Sequence, residues 1–170
     1  MPTLILARHA KAEAPAPGLQ DMDRALALIG RKASTKLGEV IARAGIRPDL
    51  ALVSSAVRTQ QTWKLMAPAF APAEERFLED LYETNVAGVL DVLREAGEAD
   101  TVVVVGHEPT SSAVAAYLAG SGSDKTALQR VAHGLPTGTA AVLEIDVPWA
   151  ELGSRCGRLL HVLSGRDVEE

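Results

Sequence analysis

The 170 residues suffice for one domain with a substantial core, and 47 % apolar with 23 % charged residues is the composition of an ordinary globular protein. A net charge of -5 and a pI near 5.4 argue against general affinity for nucleic acid or an anionic membrane surface, so any anion site has to be local. One cysteine, Cys156, excludes an internal disulfide and a thiolate metal cluster; with no signal-peptide h-region and no run of about 18 apolar residues to span a membrane, the expectation is a cytoplasmic protein.

Leu4 to Ala7 is an apolar run of strand length that stops at Arg8 and His9, two side chains ill at ease in a core without partners. Lys11 to Gln20, rich in alanine, proline and glycine, is a loop able to rim a site. Ile29, Lys32, Ala33, Leu37, Val40, Ile41 and Ala44 then have helical spacing, stopping at Gly45 and Pro48. Leu50 to Val53 is a second strand. Ser54 or Ser55 caps the helix that follows, whose buried face is read as Ala56, Trp63, Leu65 and Met66 and which Pro68 ends. Phe70 to Glu79 reads as an edge segment, kept from the centre of a sheet by Pro72 and the pair Glu74 and Glu75.

Leu81 and Tyr82 lead into a helix with Val86, Val89, Leu90, Val92, Leu93 and Ala96 at spacings of three and four. Thr101 to Val105 is continuously apolar, as expected of a strand covered on both faces. A helix follows from Pro109 to about Ala119, since proline suits the first helical turn, and a short helix is read at Thr126 to Val131. Gly138 to Ile145 and Gly157 to Leu163 are late strands whose pairing and placement the sequence leaves open. Residues 1–165 form one domain, and the polar stretch Arg166 to Glu170 is expected to fray.

Three apolar strands thus run into cationic or imidazole side chains: Arg8 and His9, Arg58 beyond Ser54-Ser55-Ala56-Val57, and His107 after Gly106. They would converge at the carboxyl edge of a parallel sheet, where open α/β folds place their ligands. The expected fold is α/β, a mainly parallel central sheet flanked by helices on both faces. Arg8 and Arg58 each offer a planar fork of donors matched to phosphate oxygens, and His107 before a helix start would point with the helix amides at an anion. A phosphate or sulfate site with two histidines is the sum. His133 and His161 lack comparable context and are read as structural. Carboxylates and histidines show no metal-ligand spacing, so neither metal nor cofactor is expected.

Arg8-His9-Ala10, Ser54-Ser55-Ala56-Val57-Arg58-Thr59-Gln60-Gln61-Thr62 and Gly106-His107-Glu108-Pro109 resemble the three signature segments of the histidine phosphatase superfamily, also called phosphoglycerate mutase-like. Asp23-Arg24-Ala25-Leu26 through Gly30-Arg31-Lys32, in so short a chain, is similar to the SixA-type phosphohistidine phosphatase branch. The likeness covers Thr3 to Leu118 and, more weakly, Pro136 to Glu144. It implies that His9 is the nucleophile, forming a phosphohistidine intermediate, and that Arg8, Arg58 and His107 hold the phosphoryl group. The chemistry agrees: an unprotonated imidazole is a competent nucleophile near neutral pH, and two guanidiniums with a second imidazole meet the charge on the equatorial oxygens.

The chain departs from the common pattern at Ala10, where glycine is usual, so a slight narrowing beside the nucleophile is expected. Glu108 stands where many relatives carry asparagine, and either favours the helix start or repels an anionic substrate. The candidate general acid is Glu83, placed at the start of a helix, with Glu13 a poorer second; the alternative is that Glu83 only decorates the first helical turn. The SixA-type branch has a reduced or absent acid, which suits an imidazole leaving group. From Thr62 to Thr101 there is no room for an inserted cap domain, and an open site suits phosphohistidine on a signalling or phosphotransfer protein. The rival readings are a small-molecule phosphomonoesterase for a sugar phosphate or nucleotide, and a non-catalytic phosphate-binding module. A mutase would need a more closed site.

Overall fold

A computed structural model describes residues 1–166; of the expected tail, residues 167–170 lie outside the described residues. Its centre is a six-stranded sheet in the order β3-β2-β4-β1-β5-β6. The strands are β1 (Thr3–Arg8), β2 (Leu50–Ser54), β3 (Glu74–Leu78), β4 (Thr101–Gly106), β5 (Thr139–Ile145) and β6 (Gly157–Ser164). The first four are parallel, while β5 runs antiparallel to β1 and β6 antiparallel to β5, so the late strands extend the main sheet. The helices are α1 (Leu28–Arg43), α2 (Val57–Met66), α3 (Val86–Arg94), α4 (Thr110–Leu118) and α5 (Lys125–Ala132).

Alternation along β1 decides which helices cover which face. Ile5 and Ala7 point with Ala51, Val53, Val103 and Val105 into a cluster closed by Leu37 and Ile41 of α1 and by Trp63 and Met66 of α2. Leu4 and Leu6 point the other way, into a larger cluster with Leu90 and Leu93 of α3, Val114 and Leu118 of α4, and Val131 of α5. Both faces are therefore dry, which is why the central strands carry apolar residues without alternation. β3, with Glu74 and Glu75 exposed, occupies the sheet edge as expected.

The spacing read as α1 is helical, and two other local expectations are corrected. The buried stripe of α1 is Gly30, Ala33, Ser34, Leu37, Gly38 and Ile41, whereas Ile29, Lys32 and Ala44 are exposed. Small residues allow this phase, because α1 lies directly on backbone at Lys11 and Met66, and only a glycine fits there. Neither Ser54 nor Ser55 caps α2: the N-cap is Ala56, with no side-chain cap, and Leu65 is half-buried while Thr59 and Thr62 share the buried face with Trp63 and Met66. The third helix begins at Val86, where the Asn85 side chain accepts from the Gly88 amide at 2.9 Å, so Glu83 lies outside it.

A Cβ built on Gly30 would lie 2.1 Å from the Lys11 carbonyl oxygen, although Gly→Ala in an unhindered helix gains about 0.5–1 kcal/mol. Gly30→Ala is therefore expected to lower the melting temperature by about 3 °C or more, the shift that follows from ~1 kcal/mol in a chain of this size. A rise in melting temperature would show that α1 does not press on the loop after His9.

Candidate active site

In-register pairing of β1 with β4 sets Arg8 opposite Gly106, and the His9 amide donates to the Gly106 carbonyl at 3.1 Å. The two strands thus deliver His9 and His107 to the same edge, with ring centroids 5.5 Å apart and planes inclined by 59°. Adjacent to β4, β2 ends at Ser54, and α2 starting just beyond it brings in Arg58. All four residues expected at the site are brought together.

His9 is buried, and its Nδ1 lies 2.7 Å from the Ala10 carbonyl. A carbonyl only accepts, so Nδ1 carries the proton and Nε2 keeps its lone pair. Burial pushes the His9 pKa down to about 3; the Ala10 carbonyl opposes this, and His107, Arg58 and Arg8 add to it. The imidazole is neutral over the whole physiological range. The Ala10 amide donates to Thr62 Oγ1 at 3.1 Å, and that hydroxyl donates to the Arg58 carbonyl at 2.8 Å, tying the loop after His9 to α2. The methyl of Ala10 packs with Leu26 and Ala33, and the residue keeps a negative φ.

His107 is held between two partners. Its Nε2 lies 2.8 Å from Ser54 Oγ, and its Nδ1 lies 3.5 Å from Arg58 Nη2. A guanidinium only donates, so Nδ1 accepts and the proton sits on Nε2, directed at Ser54. Burial first, and Arg58 second, push its pKa down to about 4. Arg8 donates from Nη1 to the Leu135 carbonyl at 2.9 Å, while its Nε is buried without a protein partner.

Asp21 is the residue that sequence reasoning missed. Its backbone carbonyl accepts from Arg58 Nη1 at 2.8 Å and its Oδ2 accepts from Arg58 Nη2 at 3.0 Å, so a short turn across the site orients the guanidinium. The same carboxylate accepts from Tyr82 Oη at 2.6 Å and Arg24 Nη1 at 2.8 Å. Tyr82 and Arg24 foremost hold the Asp21 carboxyl well below the usual carboxylate range, and Asp21 in turn raises the Tyr82 phenol. The Tyr82 ring meets His107 edge-on at 5.6 Å. The only signal in the sequence was the cluster Asp21, Asp23 and Arg24 beside a loop.

Glu108 has both oxygens engaged: Oε1 accepts from the Ser112 amide at 2.7 Å, and Oε2 from the Ser112 hydroxyl at 2.6 Å and the Leu135 amide at 3.1 Å. Of the two effects open from the sequence, it serves the helix start. Glu83 does not decorate a helical turn: it is exposed, adopts a left-handed φ of 51°, and lines a cavity next to His107. Glu13 is exposed and lines no part of that cavity. His133 and His161 are exposed, and neither lines that cavity. Among the described residues, no group of three or more His, Cys, Asp or Glu is placed to hold a metal, and no helix is long and apolar enough to cross a membrane.

No protein-family model matches the chain. It is 35 % identical over 155 residues to an uncharacterized protein of Mycobacterium tuberculosis, covering 90 % of this chain and 96 % of that one. Among solved structures, the candidate phosphohistidine phosphatase SixA of Nakamurella multipartitia superposes with a TM-score of 0.84 at 30 % identity, covering 95 % of each chain. Its counterpart from Agrobacterium tumefaciens gives 0.81 at 30 % identity, covering 95 % of this chain and 97 % of that one. With this fold and this edge of two arginines and two histidines, the chain belongs to the histidine phosphatase superfamily, with its phosphoglycerate mutase-like fold, and is a phosphatase. Within that superfamily it is of the SixA type.

The lowered histidines make stability depend on pH in a definite sense. Below 6.5 the unfolded chain protonates imidazoles that the folded chain keeps neutral down to about 4 for His107 and about 3 for His9. The unfolded state then binds more protons, so stability is flat above about pH 6.5 and falls as pH drops towards 4. Asp21, depressed when folded, adds a loss in the same direction at still lower pH. Denaturant midpoints measured from pH 7.5 to 4.5 are expected to decline below 6.5, with a shallower decline in His9→Asn/His107→Asn. A decline equally steep in the double variant would place the titrating groups elsewhere.

Proposed function

We propose that this phosphatase removes phosphate from phosphohistidine carried on a signalling or phosphotransfer protein. The observation that carries the reading is the neutral His9, its Nε2 lone pair free, beside Arg8, Arg58 and His107. His9 Nε2 attacks phosphorus in line, the P–N bond to the substrate imidazole breaks, and its electron pair stays with that nitrogen, which takes a proton from water. Water then attacks the phosphorylated His9, releasing inorganic phosphate and restoring the imidazole. Arg8 and Arg58 meet the oxygens of the phosphoryl group, and His107 joins them once the anion draws a proton to its Nδ1. Two guanidiniums supply the charge, and turnover is expected to survive chelator.

Openness of the site supports a protein substrate. Between α2 and β4 the chain contains only β3, α3 and short turns, with no cap to close over a small metabolite. An imidazole leaving group also needs little help from an acid. The second reading, a small-molecule phosphomonoesterase, is favoured by one observation: Glu83 lines the cavity beside His107, where a general acid for an alkoxide would stand.

His9→Ala is expected to abolish turnover while the fold persists, and Arg58→Ala to weaken phosphate binding at least tenfold. Rates on a phosphohistidine-bearing protein and on sugar phosphates and nucleotides, with chelator present, then separate the two substrates. Preference for the phosphohistidine protein, changed less than threefold by Glu83→Gln, is the expected result. Fast ester hydrolysis that collapses in Glu83→Gln would establish the monoesterase with Glu83 as its acid.

A further inference from the structure

A cavity of about 300 Å³ is lined by Arg58 and His107 of the phosphoryl-binding cluster, while neither His9 nor Arg8 lines it. At its mouth are Tyr82, Glu83, Thr84 and Thr110; its floor is apolar, reaching Leu6, Leu81, Val89, Val104 and Val114 of the core. It shares Arg58 and His107 with the phosphoryl cluster, so the two sites are contiguous. Its volume is at the small end of ligand pockets, which run from about 300 to 1,000 Å³, and matches one ring or branched group.

The charge on its walls is as restrictive as its size. Asp21, Glu83 and Glu108 all line it, and Arg58 is the one cationic lining residue among the described residues. That guanidinium is already shared between Asp21 and the phosphoryl cluster. A second anionic group entering the cavity would meet the exposed carboxylate of Glu83 over an apolar floor, an environment that resists desolvating any anion; the Glu108 oxygens are already taken by Ser112 and Leu135, so Glu83 carries the repulsion.

We propose that this cavity is the leaving-group pocket and that it selects phosphoryl compounds whose carrier is a single uncharged or cationic ring, rejecting carriers with a second phosphate or a carboxylate. The selection rests on the phosphatase reading above and narrows its substrate class: a phosphorylated imidazole qualifies, whereas a bisphosphate, a phosphoglycerate and a nucleoside diphosphate do not. The apolar floor binds the ring by excluding water, and the acidic wall discriminates by repulsion.

Three probes test it: phenyl phosphate, 4-carboxyphenyl phosphate, and phosphoimidazole, which has a P–N bond on a single ring. The carboxylated phenol is no worse a leaving group than phenol, so chemistry alone predicts near-equal rates. The pocket predicts kcat/KM for phenyl phosphate at least tenfold above that for 4-carboxyphenyl phosphate. Val89→Phe, which fills the floor, is expected to raise KM for phenyl phosphate at least fivefold more than it raises the inhibition constant of inorganic phosphate. Should that variant not fold, Thr84→Phe at the half-buried mouth makes the same prediction. Equal rates on the two aryl esters, or equal shifts for phenyl phosphate and inorganic phosphate, would overturn the pocket. Failure to cleave phosphoimidazole, with the aryl preference intact, would instead overturn the P–N substrate reading and leave the pocket standing.

Discussion

The parallel pairing of β1 with β4 is the constraint on which the site depends. Its register is fixed because both strands are buried on both faces, with Ile5 and Ala7 committed to one cluster and Leu4 and Leu6 to the other. A slip of one residue would exchange the two sets against helices of different shape, and α1 has backbone, not side chain, where it meets the loop after β1. That register sets Arg8 beside Gly106 and so puts His9 and His107 within one phosphoryl group of each other. Arg8, His9 and His107 thus take their positions from the ends of these two strands, while Arg58 comes from α2 just beyond β2.

Burial then does chemical work on those side chains. Removing imidazoles from water, beside two guanidiniums, makes the charged form costly and favours neutral rings, the state that the proposed nucleophilic role of His9 requires. The guanidiniums remain charged and must be oriented. Arg8 is held by the Leu135 carbonyl, whose own amide is fixed by Glu108, and Arg58 is held by both the carbonyl and the carboxylate of Asp21. Aim is thus supplied by hydrogen bonds within the chain, from Leu135 and Asp21.

How much of this could be read from the sequence follows from how local each cause is. The apolar runs ending in Arg8, His9 and His107 were legible because a strand and its abrupt polar end are neighbours in sequence, and the edge position of β3 was legible from Pro72, Glu74 and Glu75. Asp21 was not, because its importance lies in partners 37 and 61 residues away, Arg58 and Tyr82. The helix α1 was legible from its spacing, but that Gly30, Ser34 and Gly38 join Ala33, Leu37 and Ile41 on its buried face was not, because they are buried for their smallness against distant backbone. Ser54 looked like a cap and is a partner of His107, and Glu83 looked helical although its backbone is left-handed; both depend on tertiary neighbours that outweigh local preference. The pairing of β5 and β6 was open for the same reason, since antiparallel extension of the sheet is decided by β1, more than 100 residues earlier.

The account stands or falls on whether His9 carries the phosphoryl group. The direct measurement is a rapid quench of the wild-type enzyme with phosphoramidate labelled at phosphorus, followed by peptide mapping of the protein. The account predicts a label that is acid-labile and stable in base, located on His9, formed and lost at least as fast as inorganic phosphate is released. Turnover with no such label, or a label on His107 instead, would contradict it.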